Sequence, residues 1–182
     1  RTHLLAGLYV NEVLMRLLHR EASVPELYDA ALATFAALEA GLDLEPVLRT
    51  FELGLLDALG QGMDLARDVE GAPLDPEAVY VLEPALGWRR QPRGSEADPS
   101  GAAETDAVRD GADAEFGTAG VPTGPVAGVA ILALARRDFS EAGTRNVARR
   151  LLRREIDRLL EGRPLRSRAL FRARTRTADS GP

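Results

Sequence analysis

The chain has 182 residues, 45% apolar but only 5% aromatic, and no cysteine. That allows one ordinary domain with a helical core and excludes a disulfide framework, a thiolate nucleophile and a cysteine zinc site. All 23 basic side chains are arginine: nine face 22 acids up to Ala135, and fourteen face six acids from Arg136 to Pro182, so an acidic body carries a basic C-terminal segment under a net charge of −5.

The chain opens Arg-Thr-His-Leu-Leu, already in a helical pattern and without an initiator Met, so further sequence is expected upstream of Arg1. Leu4, Leu5, Leu8, Tyr9, Leu14, Leu17 and Leu18 recur at helical spacing and predict a first helix to about His19. Ser23-Val24-Pro25-Glu26 is a helix start: Ser can cap, Pro has a preset φ, and Glu reaches back. Leu27, Tyr28, Ala31, Leu32, Phe35 and Leu38 give the second helix one apolar face, which stops at Gly41. Asp43 opens the third, whose buried face is Val47, Leu48, Phe51, Leu55, Leu56 and Leu59, and Gly60-Gln61-Gly62 ends it. Connections this short predict an antiparallel-type bundle.

From Met63 to Trp88 the pattern turns irregular, with a short strand at Ala78–Leu82. Residues Arg89 to Pro125 hold hardly a large apolar side chain and are expected to be disordered. Helical character returns from Val126 to Arg137. The apolar run Val126–Ala135 is far short of the roughly 20 residues of a membrane span, and no export-signal pattern appears. The fold expected is mainly α: a helical bundle domain with a small irregular/β insert and a disordered loop. The units are 1–88, the loop 89–125, C-terminal helices 126–171 of the same domain, and a flexible tail 172–182.

The last long helix is predicted from about Glu141 to Glu161, closed by Gly162. At 100° per residue, Leu151, Leu152, Ile156, Leu159 and Leu160 share one arc. Arg149, Arg150, Arg153, Arg154 and Arg158 lie largely opposite, with Arg145 at the boundary. Only Glu155 and Asp157 offset six arginines there, whereas a merely solvated face mixes signs. Arg163, Arg166, Arg168, Arg172, Arg174 and Arg176 extend the positive surface past the helix. A basic block on an acidic molecule presents one electrostatic face to a polyanion, which makes nucleic acid the first partner to consider.

Four stretches resemble a known family. They are Gly7-Leu8-Tyr9-Val10-Asn11-Glu12-Val13-Leu14, then Leu48-Arg49-Thr50-Phe51-Glu52-Leu53-Gly54-Leu55-Leu56, then Leu59-Gly60-Gln61-Gly62, and the closing Leu160-Glu161-Gly162-Arg163-Pro164-Leu165-Arg166-Ser167-Arg168-Ala169-Leu170-Phe171. In order and rough spacing, over about Leu4–Trp88 and Val126–Phe171, they are similar to the C-terminal region of the bacterial RecO family of DNA repair proteins. The resemblance implies an N-terminal OB-fold, absent here, before the helical domain. It implies a bacterial, cytoplasmic, nucleoid-associated recombination mediator without catalytic activity. Such a mediator binds single- and double-stranded DNA, anneals strands coated by single-strand-binding protein, and works with RecR in loading the recombinase.

The resemblance further implies docking of the acidic, phenylalanine-ending tail of single-strand-binding protein. Arg49 and Leu53 match positions implicated in that docking, and the last helix would add an arginine near Asn146, either Arg145 or Arg149. A terminal Phe carboxylate needs an apolar slot beside an arginine fork, and Leu53 lies one turn after Arg49. The bland alternative for Arg49 is an internal pair with Glu52 or Glu45. Arg150, Arg153, Arg154, Arg158, Arg163, Arg166 and Arg168 are the expected phosphate contacts, independent of base sequence and steeply salt-sensitive. Many relatives hold zinc with four cysteines; none exist here, so no metal or other cofactor is expected.

The competing reading is a helical scaffold that packs on a missing domain without touching DNA. An enzyme fits worse. His3 and His19 face no nucleophile and belong at helix edges, Asp64 and Asp68 lack further ligand spacing, and Gly60-Gln61-Gly62 lacks the Lys-Ser/Thr of a phosphate loop. No recognition-helix pattern outranks the ordered matches.

Overall fold

The computed structural model describes residues 2–18, 24–92 and 124–171. Helix α1 is Thr2–Leu17, α2 Pro25–Glu39 and α3 Leu44–Ala58; strands β1 Val79–Glu83, β2 Gly87–Arg90 and β3 Val126–Ala127 follow, then α4 Gly128–Ala135 and α5 Ala142–Leu159. A last helical segment, α6, covers 166–171. The result is the helical bundle with a small β element that the sequence predicts.

Helix α3 stands at the centre, with α2 and α1 packed on one side and α5 on another. Its surroundings explain why Leu48, Phe51, Leu53, Leu55 and Leu56 are all buried. Asp43 caps it, accepting a hydrogen bond from the Glu45 N–H at 3.3 Å. Gly60 ends it at φ +67°, a left-handed conformation that L side chains rarely adopt. The Gln61 N–H then reaches the Leu56 carbonyl at 2.8 Å and the Gly60 N–H reaches Asp57 at 3.0 Å, satisfying carbonyls the helix end would leave open. Helix α2 has Pro25 in its first turn and no side-chain cap from Val24; the expected Ser23 cap and His19 lie outside the described residues.

The sheet has the order β2-β1-β3, both pairings antiparallel. Tyr80 pairs with Arg90 on one side and with Val126 on the other. Two expectations move accordingly. Val126 and Ala127 extend the sheet instead of starting a helix, because the Gly128 N–H bonds back to the Ala78 carbonyl at 2.8 Å. Only glycine fits there, since a Cβ at 128 would stand 2.0 Å from the Asp75 carbonyl oxygen. Arg89 and Arg90, expected in the loop, are strand residues whose side chains pair with Glu83 at 2.5 Å and Asp75 at 2.8 Å. The rest of the expected disorder, 93–123, and the tail 172–182 lie outside the described residues.

Asp64 and Asp68 prove to be turn formers. Asp64 accepts from the Ala66 and Arg67 N–H groups, and Asp68 from those of Glu70 and Ala72. His3 sits at a helix edge with Nε2 2.9 Å from the Leu42 carbonyl oxygen.

Candidate functional site

Helix α5 buries Ala148, Leu151, Leu152, Glu155 and Ile156 and turns its arginines away from that stripe. Carboxylates tie most of these arginines down, two guanidiniums to each. Glu45, in the first turn of α3, accepts from Arg149 Nε at 3.1 Å and Nη2 at 2.6 Å, and lies 3.6 Å from Arg145 Nε. Glu155 lies 2.9 Å from Arg158 and 3.6 Å from Arg154. Asp157 faces Arg153 at 3.7 Å and also accepts from Arg168. Arg158 is further held by Gln61 Oε1 at 3.0 Å, and Arg145 by the Phe139 and Ser140 carbonyls at 2.7 and 2.6 Å.

Pairing therefore fixes these side chains without cancelling their charge. With Arg150 included, seven arginines stand against three carboxylates, a net of +4, although Arg153 and Arg168 are largely buried. Arg150 is half-buried and has no carboxylate partner among the described residues. A guanidinium held in place yet under-neutralised retains donors for an outside anion at a reduced ordering cost.

The proposed peptide residues of α3 lie elsewhere. Arg49 is 2% and Leu53 3% exposed, both inside the core. Arg49 Nη1 stands 3.2 Å from Glu52 Oε2, and the Tyr9 hydroxyl donates to Glu52 Oε1 at 2.6 Å. Burial first, then the neighbouring Glu52 charge, pushes the Tyr9 phenol well above its ordinary pKa, so it remains a donor at neutral pH. The internal pair with Glu52 is thus the observed state of Arg49, and neither it nor Leu53 is a surface contact here. Arg145 and Arg149, by contrast, converge at the partly exposed start of α3.

The closing segment also differs from an extended basic tail. Leu165, Ser167, Arg168 and Phe171 turn inward and pack on the body, while Arg163, Arg166 and Leu170 face out. Glu12 on α1 caps α6 from afar, accepting from the Arg166 N–H at 2.9 Å, the Ser167 N–H at 2.8 Å and the Ser167 hydroxyl at 2.7 Å. Arg168 is 6% exposed and lies 5.7 Å from the Tyr9 ring centroid, a cation–π arrangement. It is a structural residue instead of the phosphate contact expected from the sequence. Arg153, with a side chain 11% exposed, is also largely withdrawn. Arg163 makes an exposed pair with Glu161 at 3.2 Å and donates from Nε to the Leu160 carbonyl at 3.3 Å, and the Arg166 side chain carries no partner among the described residues. Arg172, Arg174 and Arg176 lie outside them.

Sequence reasoning named Glu155 and Asp157 as offsets to the arginines and Glu45 as a possible partner of Arg49, but it missed Glu12 and the cross-fold pairing of Glu45 with Arg145 and Arg149. Glu155 had a visible signal, an acid between Leu152 and Ile156 on the buried stripe. Glu12 and Glu45 had none, being 154 and 104 residues from their partners. Among the described residues no group of His, Cys, Asp and Glu converges so as to hold a metal ion, and no helix is long and apolar enough to cross a membrane.

A family model described as the C terminal of recombination protein O matches residues 1–169. The chain is 37% identical over 168 residues to a protein of Pseudomonas paraeruginosa called DNA repair protein RecO, covering 92% of this chain and 60% of the relative. It is 38% identical over 173 residues to the protein of that name in Methylococcus capsulatus (94% of this chain, 60% of the relative). It is 36% identical over 171 residues to that of Pseudomonas putida (94% and 63%). The chain thus spans about three fifths of the length of these relatives.

Proposed function

The chain belongs to the RecO family of DNA repair proteins, and from that premise we propose that it serves recombinational repair as a non-catalytic mediator module. In this reading the outward arginines of α5, with Arg163 and Arg166 beyond it, meet the phosphates of single- and double-stranded DNA. Arg145 and Arg149 receive the acidic tail of single-strand-binding protein. RecR is the further partner. The supporting observation is that the arginines of α5 outnumber the carboxylates that hold them. It leaves an ordered positive face on an otherwise acidic molecule, which is what a sequence-independent grip on a phosphate backbone requires. The chain has few aromatics for base stacking, so phosphate contact is the main mode. Holding two strands by their backbones leaves base edges free to pair, and annealing needs that freedom.

The scaffold reading draws on a different observation. The outer faces of α1 and α2 keep Leu4, Leu8, Tyr28, Leu32 and Phe35 exposed, a surface suited to another domain. The two readings separate in one assay. Fluorescence anisotropy with a labelled single-stranded oligonucleotide should show binding, and changing Arg150, Arg154 and Arg158 together to Gln should weaken it about tenfold or more at low salt. Equal affinity in parent and variant, or no affinity in either, removes the DNA assignment and leaves the scaffold.

A further inference from the structure

We propose that Glu45 is a built-in occupant of the Arg145–Arg149 clamp, holding the place that a peptide carboxylate takes when it docks. The inference rests on the reading of that clamp as an acidic-peptide site. It says that docking there is an exchange of one carboxylate for another.

Three features of the geometry carry it. First, Arg149 presents both Nε and Nη2 to a single Glu45 oxygen, at 3.1 and 2.6 Å. That is the side of the guanidinium fork used for recognising carboxylates. Second, Arg145 does not need Glu45 to stay in position. Its Nη1 is held by the carbonyls of Phe139 and Ser140, at 2.7 and 2.6 Å, while its Nε stands 3.6 Å from Glu45. One jaw of the clamp therefore remains set when the glutamate swings away. Third, the group is reachable. The side chains of Glu45, Arg145 and Arg149 are 16%, 30% and 21% exposed, whereas the Asp157 pairs bury Arg168 and Arg153 to 8% and 11%. Two guanidiniums against one carboxylate also leave a positive charge that draws an acidic segment in while Glu45 is still seated. A partner that displaces Glu45 gains one set of charge-assisted hydrogen bonds as another is given up, so docking is weak and readily reversed.

The test titrates a fluorescein-labelled acidic peptide ending in phenylalanine against the parent, Glu45→Gln and Glu45→Asp, with thermal melts to show that each is folded. Glu45→Gln should bind about fivefold tighter or more, and Arg149→Ala in that background should abolish the gain. Glu45→Asp keeps the net charge but draws the carboxylate back by one methylene, so it should also bind tighter than the parent. Glu39→Gln, which removes a negative charge at the end of α2, should change little. If the parent binds the peptide and neither Glu45 variant binds better, the placeholder is wrong and the clamp assignment stands. If Glu39→Gln matches Glu45→Gln while Glu45→Asp gains nothing, the effect is bulk charge and the placeholder is overturned. If no variant binds the peptide, the clamp reading falls and this inference falls with it.

Discussion

Glu12 shows how one side chain completes the fold. It accepts three hydrogen bonds from the start of α6, and Arg16 stands 2.7 Å away on the next turn of α1. Burial alone would raise its pKa, but the hydrogen bonds from Ser167 and Arg166, and then the Arg16 charge, hold it below the ordinary glutamate value. A carboxyl depressed on folding contributes stability that is present above its unfolded pKa and lost as pH falls through the folded one. Glu12→Gln should therefore cost about 1–2 kcal/mol at pH 7. That deficit should shrink as pH falls below the ordinary glutamate value of about 4.3, where the unfolded chain binds a proton that the folded carboxylate resists. Urea denaturation at pH 7 and pH 3.5 measures both, and an equal deficit at the two pH values would show that charge on Glu12 is irrelevant. Nothing in the local sequence announces this cap, because Glu12 lies mid-helix and its partner is at the other end of the chain.

Among the elements, α3 gives the clearest lesson about what a sequence reveals. Its limits, its cap at Asp43 and its stop at Gly60 were all legible, since capping chemistry and glycine φ are local. So was its apolar face. Arg49 and Glu52 fall in the same arc as Leu48, Phe51, Leu55 and Leu56 at about 100° per residue, and that position was the readable sign of burial. Its place on the helix, and not the carboxylate-gripping chemistry that the resemblance implies, decides the surroundings of Arg49. The consequence is testable. Arg49→Glu sets a second carboxylate beside Glu52 in the core, with Tyr9 able to donate to only one of them. It should destabilise the domain by about 3 kcal/mol or more, seen as a large fall in the unfolding midpoint. A variant that melts like the parent would mean Arg49 reaches solvent after all. Loss of peptide affinity in Arg49→Glu consequently reports on folding before it reports on docking. Helix α5 was legible in the same partial way: its two faces were right, but its arginines find their counter-ions on α3 and within the helix, and periodicity does not name partners across the fold.

For the whole molecule, the charge imbalance read from composition survives folding in altered form. Shared carboxylates anchor the arginines, Arg168 is withdrawn into the core, and the positive face that remains is smaller than the sequence implied. The described residues on either side of 93–123 stand close together. Arg90 and Val126 flank the same residue, Tyr80, so they are about 10 Å apart by the usual strand spacing. Replacing 93–123 with a six-residue Gly/Ser linker should leave the melting temperature within a few degrees, because shortening a loop changes closure entropy by only about 1 kcal/mol. A large drop would show that the segment packs on the body. Whether the anchored arginines meet phosphate is read from the salt dependence of DNA affinity. Log affinity for an oligonucleotide should fall linearly with log salt, by about 0.7 per single-strand phosphate contacted. The slope should be shallower by nearly one contact in Arg150→Gln and unchanged in Arg168→Gln, provided the latter is folded. A parent slope near zero, or an Arg168 variant that flattens it as much as the Arg150 variant, would contradict the account.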